Sequence, residues 1–296
     1  MKPMKLIHKT LFASAALLAF AACKEENPGV ILTKPAVQFY DTTYIAAAAE
    51  TPQSKNSLVE DLTGARCSNC PKGHRAIEEM QLRNPNRIVA LSIHGRDFPQ
   101  FTTPLDSTKD VDMRTNYDLL IYNIVGRPGG LPFGTIDRVH KSPTAGTWEG
   151  YAVSRMAVPT PVNLYIEKSY DPATRELNVK LKAVFTTDTL TMRPFFSAGI
   201  CESGIITPQK DEDLASDPVK KGIELNYVHN HVLRTMAAFK DPLLPASVSG
   251  MPEKNRVVEK SFSIKLKNEW NADKCSIVFY VHRDADVLHV VEAKVK

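Results

Sequence analysis

Two cysteines separated by two residues, Cys67 and Cys70, are the side chains of this 296-residue chain best placed to do chemistry. Thiols at this spacing can close a small disulfide ring, and a helix that begins at the motif stabilises the thiolate of the first cysteine with its N-terminal amides. Arg66, directly before the motif, adds positive charge that would lower the pKa of the Cys67 thiol further. The chemistry that this pattern predicts is thiol-disulfide exchange.

The sequence around the motif predicts the elements that would position it. Residues 57–62 predict a strand, residues 63–66 a turn and residues 71–83 a helix. Residues 87–94 form a nearly continuous apolar run, which is typical of a parallel strand covered on both faces. The motif therefore lies on a predicted strand-turn-helix-strand unit.

The first 22 residues predict an export signal. Residues 1–10 are basic, residues 11–20 are apolar, and two alanines lead into Cys23. The apolar stretch is about half as long as the roughly 20 residues that a membrane-spanning helix needs. A cysteine in this place resembles the lipobox of bacterial lipoproteins, where the thiol is diacylated; the alternative is an ordinary signal peptide with an incidental cysteine. Residues 23–56 contain three prolines and polar sequence, and predict a tether.

The C-terminal half of the chain predicts β structure, and two helices are predicted before it. The helices are expected over residues 110–124 and 147–156. Alternating apolar residues on both sides of a turn at residues 171–174 predict a hairpin. About seven short strands in about 135 residues are typical of an immunoglobulin-like sandwich, although a jelly roll has a similar pattern. Beyond the hairpin, strands are predicted over residues 195–201, 226–233, 257–266, 275–282 and 287–295.

These features together resemble a known family. Residues 59–64, residues 67–71 and a later Gly-Leu-Pro turn resemble the thioredoxin superfamily. With the lipoprotein start and the β-rich tail, most of the mature chain is similar to the outer membrane protein twenty-eight family of Bacteroidota lipoproteins. The most specific pieces of this resemblance are residues 60–71 and the run Tyr-Val-His-Asn-His at 227–231. The resemblance implies fold and location better than it implies activity.

The resemblance implies roles for three further residues. Asp61 matches the acid that thioredoxins keep beneath the second thiol, where burial would raise its pKa and let it take the proton of Cys70; the alternative is an acid that faces solvent. Pro132 matches the cis-proline that faces the thiols, with Pro128 as the competing candidate. His94 ends the second strand, either as a proton shuttle or as a structural side chain.

The other cysteines and two histidines allow more than one interpretation. Cys201 and Cys275 lie on predicted strands and either form a bridge or remain buried free thiols. His229 and His231 are two apart on a predicted strand, so that both would project from one face as two metal ligands would. No third ligand is evident nearby, and the alternative is a packing feature of the family. We predict neither a metal nor another cofactor.

Composition and charge narrow the possible functions. Hydrophobic residues make up 43% of the chain and charged residues 24%, which excludes a wholly disordered protein. The formal charge of +4 falls to +1 without the first 22 residues, which carry three lysines and no acid. A nearly neutral mature chain offers no field for binding nucleic acid.

We therefore predict two domains on an anchored chain and keep two functions open. The predicted order is a signal peptide (1–22), a tether (23–56), a thioredoxin-like α/β domain (57–158) and an all-β sandwich domain (159–296). The protein is expected at the outer membrane through lipidated Cys23, on the periplasmic face or at the cell surface. It is either a thiol-disulfide oxidoreductase acting on exported proteins or a non-enzymatic binding lipoprotein with the thioredoxin fold as a scaffold.

Overall fold

The computed structural model describes residues 37–283 and 285–296. The predicted signal peptide, the lipidation site Cys23 and the beginning of the predicted tether lie outside these residues. Within the described ranges, no helix is long and apolar enough to cross a membrane.

The described chain is mostly β structure with a few helices, in agreement with the β-rich fold that the sequence predicts. The helices are α1 (Cys70–Arg83), α2 (Pro99–Thr102), α3 (Tyr117–Val125) and α4 (Trp148–Met156). The strands are β1 (Tyr40–Ile45), β2 (Ser57–Thr63), β3 (Ile88–Gly95), β4 (Arg114–Thr115), β5 (Phe133–Ile136), β6 (His140–Ser142), β7 (Val162–Asp171), β8 (Glu176–Phe185), β9 (Phe195–Glu202), β10 (Ile205–Ile206), β11 (Gln209–Lys210), β12 (Ile223–Glu224), β13 (Val228–His229), β14 (Val232–Pro242), β15 (Arg256–Lys265), β16 (Cys275–His282) and β17 (Val287–Lys294).

One large sheet runs through both halves of the described chain. Its strand order is β17-β16-β9-β14-β3-β2-β5-β6, and the short β4 pairs with β3. The two halves meet where β14 pairs in parallel with β3, at Val232 opposite Ser92. The backbone amide of Ser92 also donates to the carbonyl oxygen of His231, over 2.8 Å. The predicted boundary between residues 158 and 159 falls between α4 and β7 and stays a prediction.

A second sheet covers the C-terminal half and closes the main core. Its order is β1-β15-β8-β7, and all its neighbouring strands are antiparallel. Alternate side chains of these strands pack against β9, β14 and β16 of the large sheet, as two packed sheets require. This core contains Phe185, Phe196, Phe262 and Phe279.

The helices cover the N-terminal part of the large sheet on two faces. Ile77 of α1 and Trp148 of α4 pack with Val59 and Ile136 on one face. Ile121 of α3 packs with Leu62 and other side chains of β2 and β3 on the opposite face. Strands β2 and β3 are buried along their whole length between these layers, which explains the nearly continuous apolar run of β3.

Three sequence predictions differ from the structure. Residues 40–45, expected in the tether, form edge strand β1, whose aromatic and β-branched side chains favour a strand. The helix predicted over 110–124 begins only at Tyr117, because Asp106 and Asp112 bond to nearby amides and compete with a helix. The strand predicted over 226–233 is absent, since β13 has two residues and β14 starts at Val232.

Candidate functional site

The two motif cysteines form a disulfide at the start of α1. Cys67 lies in the turn after β2, Cys70 is the first residue of α1, and their Cα atoms are 5.3 Å apart. Pro71 follows at the first turn of the helix, where a proline costs no hydrogen bond. Cys67 is only 3% exposed and Cys70 is fully buried. Exchange with another protein requires an accessible sulfur, and this arrangement leaves Cys67 with little exposed surface and Cys70 with none.

The disulfide is buried because a distant part of the chain lies over it. We call residues 203–231, which connect β9 to β14, the covering segment. The backbone amide of Lys210 donates to the carbonyl oxygen of Ala65, and that of Glu212 to the carbonyl oxygen of Ser68, each over 2.8 Å. The buried side-chain amide of Gln209 donates to the carbonyl oxygen of Cys67 over 3.0 Å. These bonds run along residues 65–68, from the turn after β2 to the residue that follows Cys67.

Ion pairs fasten the covering segment to α1. The guanidinium of Arg75 contacts the carboxylates of Asp211, over 3.1 Å, and Asp213. The ammonium of Lys72 lies 2.8 Å from the carboxylate of Glu212. All these side chains except Asp211 are well exposed, so each pair contributes little by itself.

Asp61 lies beneath the motif without a hydrogen-bond partner. The residue is fully buried, and neither carboxylate oxygen bonds to a donor among the described residues. Burial raises the pKa of Asp61 to about 8, because the charged form loses its hydration. The structure thus places Asp61 in the buried interior and not at the solvent-facing end of the strand.

His74, one helical turn after Cys70, links Asp61 to the covering segment. Its Nε2 lies 3.6 Å from Asp61 Oδ2 and 2.8 Å from the hydroxyl of Thr63. Its Nδ1 lies 2.8 Å from the hydroxyl of Tyr227, which belongs to the covering segment. Burial lowers the pKa of His74 to about 3, so the ring is neutral at ordinary pH. Sequence reasoning missed this residue, although its position four residues after Cys70 on a helix was a usable signal.

Two more histidines extend this cluster. The ring centroid of His229 lies 6.1 Å from that of His74 and 5.8 Å from that of His94. Burial lowers the pKa of His229 to about 4 and that of His94 well below its ordinary value. In the described part of the chain, no group of three or more His, Cys, Asp or Glu side chains has an arrangement that could hold a metal ion.

The expectation that His229 and His231 share one face is wrong. Between them the backbone turns, because His231 has a φ of +57° and lies outside any strand. Its Nε2 lies 3.1 Å from the side-chain oxygen of Gln81 on α1, away from the cluster. Nothing in the arrangement of these two rings resembles a pair of metal ligands.

The side chain of Arg66, next to Cys67, bonds to the loop that follows α2. Its guanidinium donates to the carbonyl oxygens of Thr103, Pro104 and Leu105, over 2.8 to 3.1 Å. The side chain therefore holds the loop after α2 against the motif.

An open groove lies beside the covered disulfide. The Leu131–Pro132 peptide bond is cis, and the described residues contain no other cis bond, so Pro128 is trans. The turn that contains Pro132 forms one side of a groove of about 670 Å³. Neither cysteine lines it. The groove is lined by Asn69, Lys72, residues 129–133 and residues 143–146.

Of the two alternatives for Cys201 and Cys275, a bridge or buried free thiols, the structure has the free thiols. The two residues lie on neighbouring antiparallel strands, where Cys201 is opposite Ser276 and Cys275 is opposite Glu202. Successive side chains of a strand project to opposite faces, so the two sulfurs lie in different cores. Burial raises the pKa of both thiols, to about 12 for Cys275, and keeps them unreactive.

Comparison with known proteins assigns the chain to a family. The family model described as "Outer membrane protein Omp28" matches residues 122–296, more than half of the chain. The chain belongs to the Omp28 family. The family and the outer-membrane location expected from the sequence are therefore confirmed. The matched range contains the covering segment and most of the groove, whereas Cys67 and Cys70 precede it.

One solved structure shares the fold at low sequence identity, and two others match with lower TM-scores. HBP35 of Porphyromonas gingivalis matches with a TM-score of 0.59 and 14% identity, over 81% of this chain and 75% of that one. A protein of Agrobacterium tumefaciens matches with a TM-score of 0.48 and 10% identity, over 83% of this chain and 97% of that one. A domain of the outer membrane lipoprotein Omp28 from Porphyromonas gingivalis matches with a TM-score of 0.27 and 15% identity, over 46% of this chain and 88% of that one. No curated protein matches.

Proposed function

We propose that this Omp28-family protein is a non-enzymatic recognition lipoprotein of the outer membrane, anchored through Cys23. In this proposal the Cys67–Cys70 disulfide is a structural bond that fixes the start of α1. The observation that carries the proposal is the burial of both sulfurs beneath the covering segment while the groove beside them stays open. A protein built to exchange disulfides would need the reverse arrangement.

We also propose that residues 57–158 are a thioredoxin-like scaffold and residues 159–296 a sandwich. Support for the scaffold comes from the parallel pair β2 and β3 with α1 between them in the chain. Support for the sandwich comes from the core between the second sheet and β9, β14 and β16. Asp61 and Pro132 then serve as scaffold residues of the site.

The proposed ligand is an extended apolar segment of another exported polypeptide. The groove is lined by Leu131, Pro132 and Phe133 on one side and by Pro143 and neighbouring small residues on the other. Such a surface offers van der Waals contact with side chains and few fixed charges, which suits a segment that is not folded. The ammonium of Lys72, which also lines the groove, is paired with the carboxylate of Glu212. The groove is therefore largely uncharged.

We expect a tryptophan at position 146 to block binding. A Cβ atom at Gly146 would have no neighbour within 4 Å, so the Gly146→Trp side chain would fill the groove without disturbing the core. Excluding one buried apolar side chain of the ligand costs about 1.5 to 3 kcal/mol, which weakens binding tenfold or more. The measurement is fluorescence anisotropy with labelled, carboxymethylated α-lactalbumin, an unfolded chain whose blocked thiols exclude disulfide exchange.

The matched control is Gly150→Trp. Gly150 also has no neighbour within 4 Å of its Cβ position, but it lies on α4 outside the groove. This variant should bind like the wild-type protein. Equal binding by both variants, or no binding by the wild-type protein, would overturn the groove as the recognition site.

A further inference from the structure

The two ends of the covering segment are held together at one point of the sheet. The backbone amide of Gly204 donates to the side-chain oxygen of Asn230, and that of His231 to the hydroxyl of Ser203, each over 3.0 Å. Gly204 and His231 also have φ values of +74° and +57°. The segment therefore leaves and rejoins the sheet at adjacent residues, as a compact loop with closed ends does. A rotation at these two positions would move it without disturbing β9 or β14.

Polar contacts hold the segment in place more than apolar burial does. Of its isoleucines, leucines and valines, Ile205 is buried in a small cluster with Ala65 and Met113. Val219, Leu225 and other apolar side chains of the segment are exposed at its outer surface. Exposed ion pairs and a few hydrogen bonds are individually weak, so a unit fastened by them opens more readily than a packed strand does.

Gln209 is the residue that joins the segment to the motif most closely. Its side chain is fully buried, and its amide donates to the carbonyl oxygens of Gly64 and Cys67 as well as to that of Lys210. Its own side-chain oxygen has no hydrogen-bond partner among the described residues. Gln209 therefore holds the covering segment on the motif, and we call it the latch. When the segment moves away, water would give the side-chain oxygen of Gln209 a hydrogen-bond donor.

We propose that the covering segment is a hinged lid, and that its opening limits the access of any thiol to the Cys67–Cys70 disulfide. When the lid is open, a thiolate of a dithiol attacks one sulfur, forms a mixed disulfide and releases the other sulfur as a thiolate. The second thiol of the dithiol then displaces the remaining sulfur. One disulfide is broken and one is formed, and two electrons and two protons pass from the dithiol to Cys67 and Cys70.

The kinetics of reduction test this proposal on the full chain in detergent. Dithiothreitol is added at increasing concentration, samples are quenched in acid, and the thiols are alkylated under denaturing conditions and counted by mass. If the lid must open first, the two new thiols appear more slowly than those of an exposed disulfide, and the rate reaches a plateau once dithiothreitol attacks the open form faster than the lid closes. A rate that rises in proportion to dithiothreitol throughout, at the speed of an exposed disulfide, would overturn the proposal.

Two variants and a matched control identify the lid as the cause of the plateau. Gln209→Ala removes the latch and should raise the plateau rate about tenfold. Arg75→Gln removes the pairs with Asp211 and Asp213 and should raise it about two- to fivefold. Arg83→Gln removes exposed pairs with Glu79 and Glu149, which lie outside the lid, and should leave it unchanged.

The Arg75 variant keeps the test decisive if Gln209→Ala does not fold, because Arg75 is an exposed helix residue. Equal plateau rates for Arg75→Gln, Arg83→Gln and the wild-type protein would contradict the lid. These rates do not depend on ligand binding in the groove, so the recognition proposal and the lid fail or succeed separately.

Discussion

Lowering the pH from 7 to 5 is expected to reduce the free energy of unfolding by at least about 3 kcal/mol. Burial lowers the pKa of His74 and His289 to about 3 and that of His229 to about 4. The unfolded chain takes up a proton at each of these side chains below pH 6.5, whereas the folded chain does not. Each of these histidines therefore lowers the free energy of unfolding by about 2 kcal/mol between pH 7 and pH 5. Asp61, whose pKa is raised in the folded chain, acts in the opposite direction and restores about 3 kcal/mol.

The contacts of His289 show why protonation is resisted. Its Nδ1 accepts a hydrogen bond from the backbone amide of Asn56 over 3.1 Å, and its Nε2 lies 3.0 Å from the side-chain oxygen of Gln53. Protonation of Nδ1 would place its N–H group directly against the backbone N–H group of Asn56, and the hydrogen bond between them would be lost. The pKa values of His94 and His231 are lowered by burial too and act in the same direction.

The measurement is urea unfolding at pH 7, 6 and 5, followed by tryptophan fluorescence. The variant His289→Gln is the comparison, because it keeps a polar side chain but cannot be protonated; about 2 kcal/mol of the pH effect should disappear. Unfolding free energies that are equal at pH 7 and pH 5 would show that the histidines are not buried as neutral rings.

Replacing Asp61 by asparagine is expected to stabilise the protein, and more so as the pH rises. The folded pKa of about 8 exceeds the ordinary value of 3.8, so the folded chain holds a proton that the unfolded chain has lost. Stability from this group is fully present below pH 3.8 and is lost as the pH rises towards 8. At pH 7 the wild-type protein has lost about 4 kcal/mol in this way, less whatever the buried amide of the variant costs.

The slope with pH is the decisive quantity for Asp61. Since the histidines contribute equally to both proteins, the stability of Asp61→Asn over wild type should grow by about 1.4 kcal/mol per pH unit near pH 6.5 and by about half as much per unit at pH 8. The control is Asp188→Asn, which removes an exposed carboxylate after β8 in place of the buried one. A constant difference between Asp61→Asn and the wild-type protein would mean that Asp61 is ionised in the folded state.

Local patterns predicted the elements around the motif because those elements are long and periodic. Strand β2, helix α1, strand β3 and the hairpin of β7 and β8 lie within one or a few residues of where the sequence places them. The family resemblance pointed to a cis peptide bond before Pro132, which periodicity alone does not indicate. The location at the outer membrane also follows from the sequence through the family.

The cover over the disulfide could not be predicted from such patterns. Gln209 and Cys67 are 142 residues apart, and the strands of the covering segment have two residues each, which is too short for any periodicity. The only signal was the run at 227–231, and its strand-like alternation left both metal ligands and a packing feature open without indicating a loop over the motif. Whether the motif is open depends on contacts between short polar segments that are far apart in the sequence.

The burial of Cys67 and Cys70 at neutral pH is tested most directly by insulin reduction with dithiothreitol, followed as turbidity. If the covering segment closes the site, the full chain in detergent should precipitate insulin no faster than its Cys67→Ser variant or dithiothreitol alone. Acceleration by the wild-type chain that the Cys67→Ser variant lacks would contradict a covered disulfide and restore the oxidoreductase.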